Sequence, residues 1–571
     1  MGIFEYEEDE VIGYVESVDT ATVVVRIEND EQLKELKVNN LVVLRSTKVG
    51  QHLIGLVTKI MRKSGLEPID EDAPDEGYII ENVVRITLIG THMDKFGTKD
   101  NVFRRTLETV PELNAECFVL KGEKLTNFMR AISQLSTATE NPLSLGRYTL
   151  DEEAEAWIDG NKFFQRHAIV VGSTGSGKSW TIARILEQVS KLKSANSIVF
   201  DIHGEYQPLT GEGFHHLKVA GPNDTFQDNI IFLPYWLLTY EEMISMMLDR
   251  SDNNAPNQAM VFSNEVISAK RKKLEELKKQ DVLDNFTIDS PVPYDLDIVI
   301  DRFNSLDKEM VTGSSGKPKQ GPFHGKLTRF IQRLAAKRDD KRLNFLFNRE
   351  ESLMAYNLME NLCRKLMWSS SLNEMKGIKI IDFSEVPSDI LPLIIGLVAR
   401  VIFSIQQWVD KDKRHPIAIF CDEAHLYIPA KTDQSIDEAG LKNFKRIAKE
   451  GRKYGVSLIV ISQRPAEVSR TVLSQSCNFI AMRLTNAEDQ SVIKRLLPDS
   501  LGDFAELLPI LDIGEAIVVG DASLLPSRIR VTEPTMKPSS ATVDFWDEWS
   551  KAKTQDGISG AVESLRKQSK H

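Results

Sequence analysis

The 571-residue chain is poor in cysteine, with Cys117, Cys363, Cys421 and Cys477 scattered far apart and no CxxC pair. That excludes a disulfide framework or a cysteine-based metal site and points to a reduced, cytoplasmic protein. It lacks any uncharged apolar run of about 18 residues or more, the length a membrane span requires. The best candidate, "IIGLVARVIF", is interrupted by Arg400. The opening "MGIFEYEEDE" is acidic and has no apolar core, so it does not read as a secretion signal, and Tyr6 stands where a myristoylation motif needs Ser or Thr. An excess of positive charge is also missing: the net charge is −12. This does not exclude a nucleic-acid partner, because exposed charges are screened beyond roughly 10 Å in 0.1 M salt and a basic channel acts locally. With 42% hydrophobic and 27% charged residues, the composition is that of an ordinary globular protein.

Several domains are expected. Residues 1–100 hold five short runs rich in Val, Ile and Thr ("VIGYVESV", "TATVVVRI", "NLVVLRST", "QHLIGLVTKI", "NVVRITLIG"), separated by turn residues. They predict a small β-barrel with no catalytic cluster, a structural or assembly module. Residues 101–239 and 371–534 alternate buried strands with helices, the pattern of a parallel sheet covered on both faces. Residues 240–370 interrupt this pattern with polar, helical sequence carrying basic patches, "AKRKKLEELKK" and "KLTRFIQRLAAKRDDKR", and a basic loop, "TGSSGKPKQGP". These charges suit a solvated helix face or a nucleic-acid contact. Residues 535–571 form a polar tail with one aromatic patch, "VDFWDEW".

The stretch "GSTGSGKSW" comprises Gly172, Ser173, Thr174, Gly175, Ser176, Gly177, Lys178, Ser179 and Trp180. It fits the phosphate-binding pattern G-x-x-x-x-G-K-[ST], follows the apolar run from His167 to Val171, and opens a helix. The glycines let backbone N–H groups curl around an anion, and the helix N-terminus adds partial positive charge. Lys178 is expected on the β- and γ-phosphates of ATP, with the Ser179 hydroxyl on Mg²⁺. A partner appears in "PIAIFCDEAH", where a buried run ends in Asp422, the expected Mg²⁺ carboxylate, and Glu423, the expected base for an attacking water. An acid beside the metal-binding Asp favours hydrolysis over phosphoryl transfer to a metabolite, whose own hydroxyl would be the nucleophile.

With "DIHGEY" and "AKEGRKYGVSLIVISQRP", these motifs and the N-terminal barrel resemble HerA, the hexameric DNA translocase ATPase of the HerA/FtsK branch of RecA-like motors. The likeness extends to about Pro534 and includes bacterial members. It implies an α/β RecA-like P-loop core with an N-terminal barrel and a helical insertion. It further implies a homohexameric ring around double-stranded DNA and a partner effector, commonly a nuclease. By the same resemblance Gln463 matches the γ-phosphate sensor, and Arg452 matches an arginine supplied to the neighbouring subunit's site, a role Lys453 could share. Arg166 matches a position facing a neighbouring nucleotide. Asp201 and Glu205 are candidates to orient water or metal, and His203 is either a further ligand or a buried structural histidine. An alternative of another class is an ATP-regulated ring scaffold that assembles an effector, such as a nuclease or NAD-consuming enzyme, in antiviral defence. A membrane-coupled pump would need a transmembrane anchor, for which the apolar runs of this sequence are too short or too charged.

Overall fold

The computed structural model describes residues 4–7, 10–67, 77–97, 99–132, 143–312, 316–367, 377–432, 435–497, 506–523, 525–540, 545–551 and 557–568. The chain divides into two compact units, one of residues 1–188 and 477–534, the other of residues 189–476 and 535–571.

In the first unit, strands β1 (Val11–Asp19), β2 (Thr22–Ile27), β3 (Leu41–Arg45), β4 (Gln51–Glu67), β5 (Gly77–Phe96), β6 (Lys99–Arg104) and β7 (Glu116–Val119) form one antiparallel sheet in the order β2-β1-β7-β3-β4-β5-β6. Pairing of β2 with β5, from Thr22 opposite Thr87 to Ile27 opposite Asn82, closes six of these strands into a barrel. Inward-facing Val15, Val23, Val25, Val42, Leu44, Leu53, Val57, Val84 and Ile86 fill it. The five strands expected from sequence are present, and the sixth stave, β7, lies beyond residue 100. It is only four residues long, too short to show alternation, so the barrel extends past the boundary read from the sequence.

The same unit carries β8 (Ser144–Tyr148), β9 (Asp151–Trp157), β10 (Ala168–Val171), β19 (Asn478–Met482), β20 (Glu515–Gly520) and β21 (Ser527–Val531). β10 and β19 are parallel, and the chain of pairings from β19 through β20, β21 and β8 to β9 is antiparallel. The Asn478 side chain ties these pieces together. Its amide donates to the carbonyls of Lys162 (3.0 Å) and His167 (3.1 Å), and its carbonyl accepts from Ala522 N–H at 2.8 Å.

The second unit is a parallel sheet in the order β13-β12-β16-β11-β17-β18. Its strands are β11 (Asn196–Asp201), β12 (Phe214–Val219), β13 (Ile230–Ile231), β16 (Gly377–Asp382), β17 (Ile417–Cys421) and β18 (Val456–Ser462). Every residue of β11, β17 and β18 is buried, as continuous apolar runs in a doubly covered sheet require. β12, "FHHLKV", was not read as a strand from sequence. Helix Leu391–Trp408 joins β16 to β17, and helix Ser435–Glu450 lies on the connection from β17 to β18. These two helices cross closely: a Cβ on Gly440 would lie 2.2 Å from the Pro392 carbonyl oxygen. By length and composition helix Leu391–Trp408 is apolar enough to cross a membrane, yet 72% of it is buried inside the protein. Its Arg400 is neutralised by Glu242, with both nitrogen–oxygen contacts at 2.8 Å, which makes it a core helix.

Between β13 and β16 stands the expected helical insertion, with helices Ala255–Glu276, Leu296–Asp307, Thr328–Asp339 and Leu358–Leu366 and a hairpin of β14 (Met310–Thr312) and β15 (Pro318–Gln320). Phe262, Phe303 and Phe330 form its core, the last two rings 5.3 Å apart. The architecture is an α/β RecA-like P-loop core with an N-terminal small β-barrel and a helical insertion.

Candidate functional site

In the first unit β10 runs into the loop 172–177, and helix Lys178–Ser190 follows at once. Gly175 and Gly177 have φ of +74° and +106°, conformations that L side chains rarely adopt. A Cβ on Gly177 would also stand 3.0 Å from the Met482 methyl and 3.4 Å from the Gly514 backbone. The loop is clamped from outside and within. Ser173 N–H donates to the Arg483 carbonyl at 2.8 Å, Gly514 N–H to the Ser176 carbonyl at 3.0 Å, and Ser176 N–H to the Ser173 carbonyl at 3.1 Å. Lys178 is buried and folds back over the loop, its Nζ donating to the Ser173 carbonyl at 3.3 Å. An ammonium and the positive end of the helix Lys178–Ser190 thus converge on one cup, a ready-made anion site. Thr174 and Gly175 are exposed at the rim, and Ser179 and Trp180 are half-buried on the first helical turn. Arg166 is ion-paired with Asp521 at 2.7 Å.

The second unit gathers acids at the C-terminal ends of β11 and β17. Asp201 is fully buried, and its two carboxylate oxygens accept the backbone N–H groups of Glu205 and Tyr206, each at 3.0 Å. It therefore holds the turn "DIHGEY" in shape. Burial, reinforced by nearby Asp382, pushes its pKa up to about 6. His203 is exposed, which corrects the buried structural role weighed from sequence: the turn anchored by Asp201 points it outward. The half-buried Glu205 has its carbonyl occupied by Ser539 N–H at 2.7 Å.

Asp422 and Glu423 follow β17 directly and are both buried. Burial lifts the Asp422 carboxyl well above the usual carboxylate range, and the charges of Glu423, Glu205 and Asp201 lift it further. Glu423 sits at φ 44° and ψ 44°, a left-handed conformation that costs a non-glycine residue about 1–2 kcal/mol. Close contacts surround it. His425 Nδ1 lies 3.2 Å from Glu423 Oε2 and 3.3 Å from the Ser462 hydroxyl, and the Tyr427 hydroxyl donates to the Asp422 carbonyl at 2.8 Å. Ser462 closes β18 and is followed by the half-buried Gln463. His425 was not singled out from sequence; its place three residues past Asp422, on the turn that presents the acids, was the only signal.

Arg452 and Lys453 lie on the single turn Gly451–Tyr454, which ends at Gly455 with φ +70°, and both are exposed. Among the described residues the Arg452 side chain makes no hydrogen bond or ion pair. The second unit thus brings together Asp201, Glu205, Asp422 and Glu423, and leaves the exposed Arg452 and Lys453 outside that cluster.

No group of three or more His, Cys, Asp or Glu side chains among the described residues is placed to hold a metal unaided. A phosphate-bound Mg²⁺ needs only one or two carboxylates and takes its other ligands from phosphate oxygens and water. The crowding of carboxylates that raises Asp422 is what a divalent cation would relieve, so the donor set fits Mg²⁺ held with a nucleotide.

Residues 143–402 match the family described as "Helicase HerA, central domain". The DNA double-strand break repair helicase HerA of Sulfolobus acidocaldarius is 24% identical over 410 residues, covering 70% of this chain and 71% of that protein. That of Sulfurisphaera tokodaii is 24% identical over 436 residues, covering 74% and 76%. The structure of VirB4 of Thermoanaerobacter pseudethanolicus is similar with a TM-score of 0.44 and 14% identity, over 70% of this chain and 98% of that one. The chain is thus similar to the HerA helicases over its central part, which holds the phosphate loop, and it is an ATPase.

Proposed function

We propose that the chain is an ATP-driven translocase or helicase on double-stranded DNA, working as a cytoplasmic homohexameric ring with ATP and Mg²⁺. Lys178 neutralises the β- and γ-phosphates. The Ser179 hydroxyl and Asp422 hold Mg²⁺, which when bound supplies charge neutralisation across the phosphates. Glu423 accepts a proton as a water oxygen bonds to the γ-phosphorus and the bond to the ADP oxygen breaks. His425 and Ser462 fix the Glu423 carboxylate, and Gln463, on the same strand end, reads the γ-phosphate. Arg452 acts on the site of the adjoining subunit, where a fixed guanidinium stabilises the charge developing on the phosphoryl group. An effector such as a nuclease or NAD-consuming enzyme, in DNA processing or antiviral defence, completes the proposal.

The observation that carries this reading is Glu423: a buried carboxylate, held in a left-handed backbone and braced by His425, directly after the metal-binding acid. Lys178→Ala should abolish ATP hydrolysis, and surviving turnover would refute the site. Mixing Arg452→Ala subunits with Glu423→Gln subunits should restore part of the activity each lacks. A mixture inactive at every ratio would remove the shared site.

A further inference from the structure

The strands Met310–Thr312 and Pro318–Gln320 form a two-stranded ribbon, with Met310 opposite Gln320, Val311 opposite Lys319 and Thr312 opposite Pro318. All six residues are exposed, Met310 at 54% and Val311 at 38%. Such a ribbon gains too little burial to hold itself up in water. Here it is held from its root. Asp307 is buried, its carboxylate accepting Leu327 N–H at 2.8 Å and the Thr328 hydroxyl at 2.6 Å. Its carbonyl accepts Gly325 N–H at 3.0 Å, and Gly321 N–H donates to the Glu309 carbonyl at 2.9 Å. Leu327 and Phe330 behind this root are fully buried. The fold therefore builds a firm base for an arm whose described strand residues all face outward to solvent.

The arm is cationic on a chain of net charge −12: residues 308–326 carry four lysines and one glutamate. Lys308, Lys317 and Lys319 are exposed, and among the described residues none has an acidic partner. Lys319 shares a face with Val311, while Met310, Thr312, Pro318 and Gln320 share the uncharged opposite face. The adjoining helix Thr328–Asp339 extends the positive surface with exposed Arg329. A two-stranded β-ribbon is narrow enough to enter the DNA major groove, unpaired lysines bind phosphates, and a protruding apolar side chain can pack on base edges. The exposed apolar area, one methionine and one valine, is small against the roughly 800 Å² per partner of a standard protein interface.

We infer that this ribbon is a duplex-DNA contact, with Lys308, Lys317 and Lys319 on the phosphate backbone and Met310 toward the groove. The inference rests on the DNA-translocase reading and names the element of the insertion that meets the substrate. The test uses the assembled full-length protein and a fluorescently labelled blunt 30-base-pair duplex, with affinity measured over a series of KCl concentrations. In the triple variant Lys308→Gln, Lys317→Gln, Lys319→Gln, the slope of log affinity against log salt should fall by about three, one per lost phosphate contact. Met310→Ser should weaken binding without changing the slope. ATP turnover without DNA and the melting temperature should stay unchanged in both. Unaltered affinity and slope in both variants, with wild type binding steeply salt-dependent, would overturn the ribbon and leave the translocase reading standing. Wild type that binds no duplex would remove that reading and the ribbon with it. A triple variant that binds DNA normally but assembles at a different mass would make the ribbon a contact between copies of the chain, overturning the proposal.

Discussion

The phosphate loop of the first unit and the acidic cluster of the second are built from opposite materials. The loop is made of backbone: two glycines at positive φ, a ladder of main-chain hydrogen bonds, and one lysine folded over them. The cluster is made of side chains: four carboxylates whose burial and mutual repulsion raise Asp422, stiffened by His425, Ser462 and Tyr427. In the proposed function one site recognises an anion by shape and the other holds a cation by charge. Substitutions should therefore fail differently in the two places, the first by added bulk and the second by lost charge.

After the complete loss expected of Lys178→Ala, the largest effect should come from a residue in neither place. Arg452→Ala is expected to lower steady-state ATP turnover by ~10³–10⁵-fold, the range of arginine fingers, with an unchanged melting temperature because the side chain is exposed. Next, Glu423→Gln should lower turnover by ~10²–10⁴-fold while nucleotide affinity, measured by titration calorimetry, stays near wild type. Loss of affinity in that variant would mean that the two regions are not functionally distinct. Gly177→Ala should do the reverse. It forces a Cβ into a left-handed backbone beside Met482, so nucleotide affinity should drop by about 10-fold, the equivalent of ~1–2 kcal/mol of strain.

The smallest effect concerns a buried charge in the second unit away from the cluster. Lys379 on β16 is fully buried with Nζ 2.9 Å from Asn196 Oδ1, and burial lowers its pKa to about 7. Its unfolded value is about 10.4. Below pH 7 both states carry the proton and the native state bears the full cost of the buried ammonium. Above pH 7 the native state releases the proton while the unfolded chain keeps it, so stability should rise with pH. A gain of about 1–2 kcal/mol between pH 7 and 8.5 is expected in urea unfolding, and Lys379→Met should flatten it. An equally steep rise in the variant would show that another group sets the slope.

The phosphate loop was legible because nine consecutive residues carry it and backbone geometry follows locally from glycine and lysine placement. The acids were legible as the end of an apolar run. What escaped depends on tertiary context. β12 escaped because His215, His216 and Lys218 break its apolar pattern; each is only half-buried, so the strand tolerates them. β7 escaped because a four-residue stave is specified by the gap it fills between β1 and β3. The exposure of His203 follows from Asp201 capping its turn, and the contact of His425 with Ser462 follows from β17 and β18 lying side by side. The role of Arg452 across subunits comes from family likeness, since no pattern in its own neighbouring residues marks it.

The most direct test of the account is the rate of ATP hydrolysis by the purified assembly with and without linear duplex DNA, measured beside Lys178→Ala. The account predicts turnover that rises with duplex, falls back as salt strips the DNA away, and vanishes in Lys178→Ala. Turnover indifferent to duplex at every salt concentration, or equal in the variant, would contradict it.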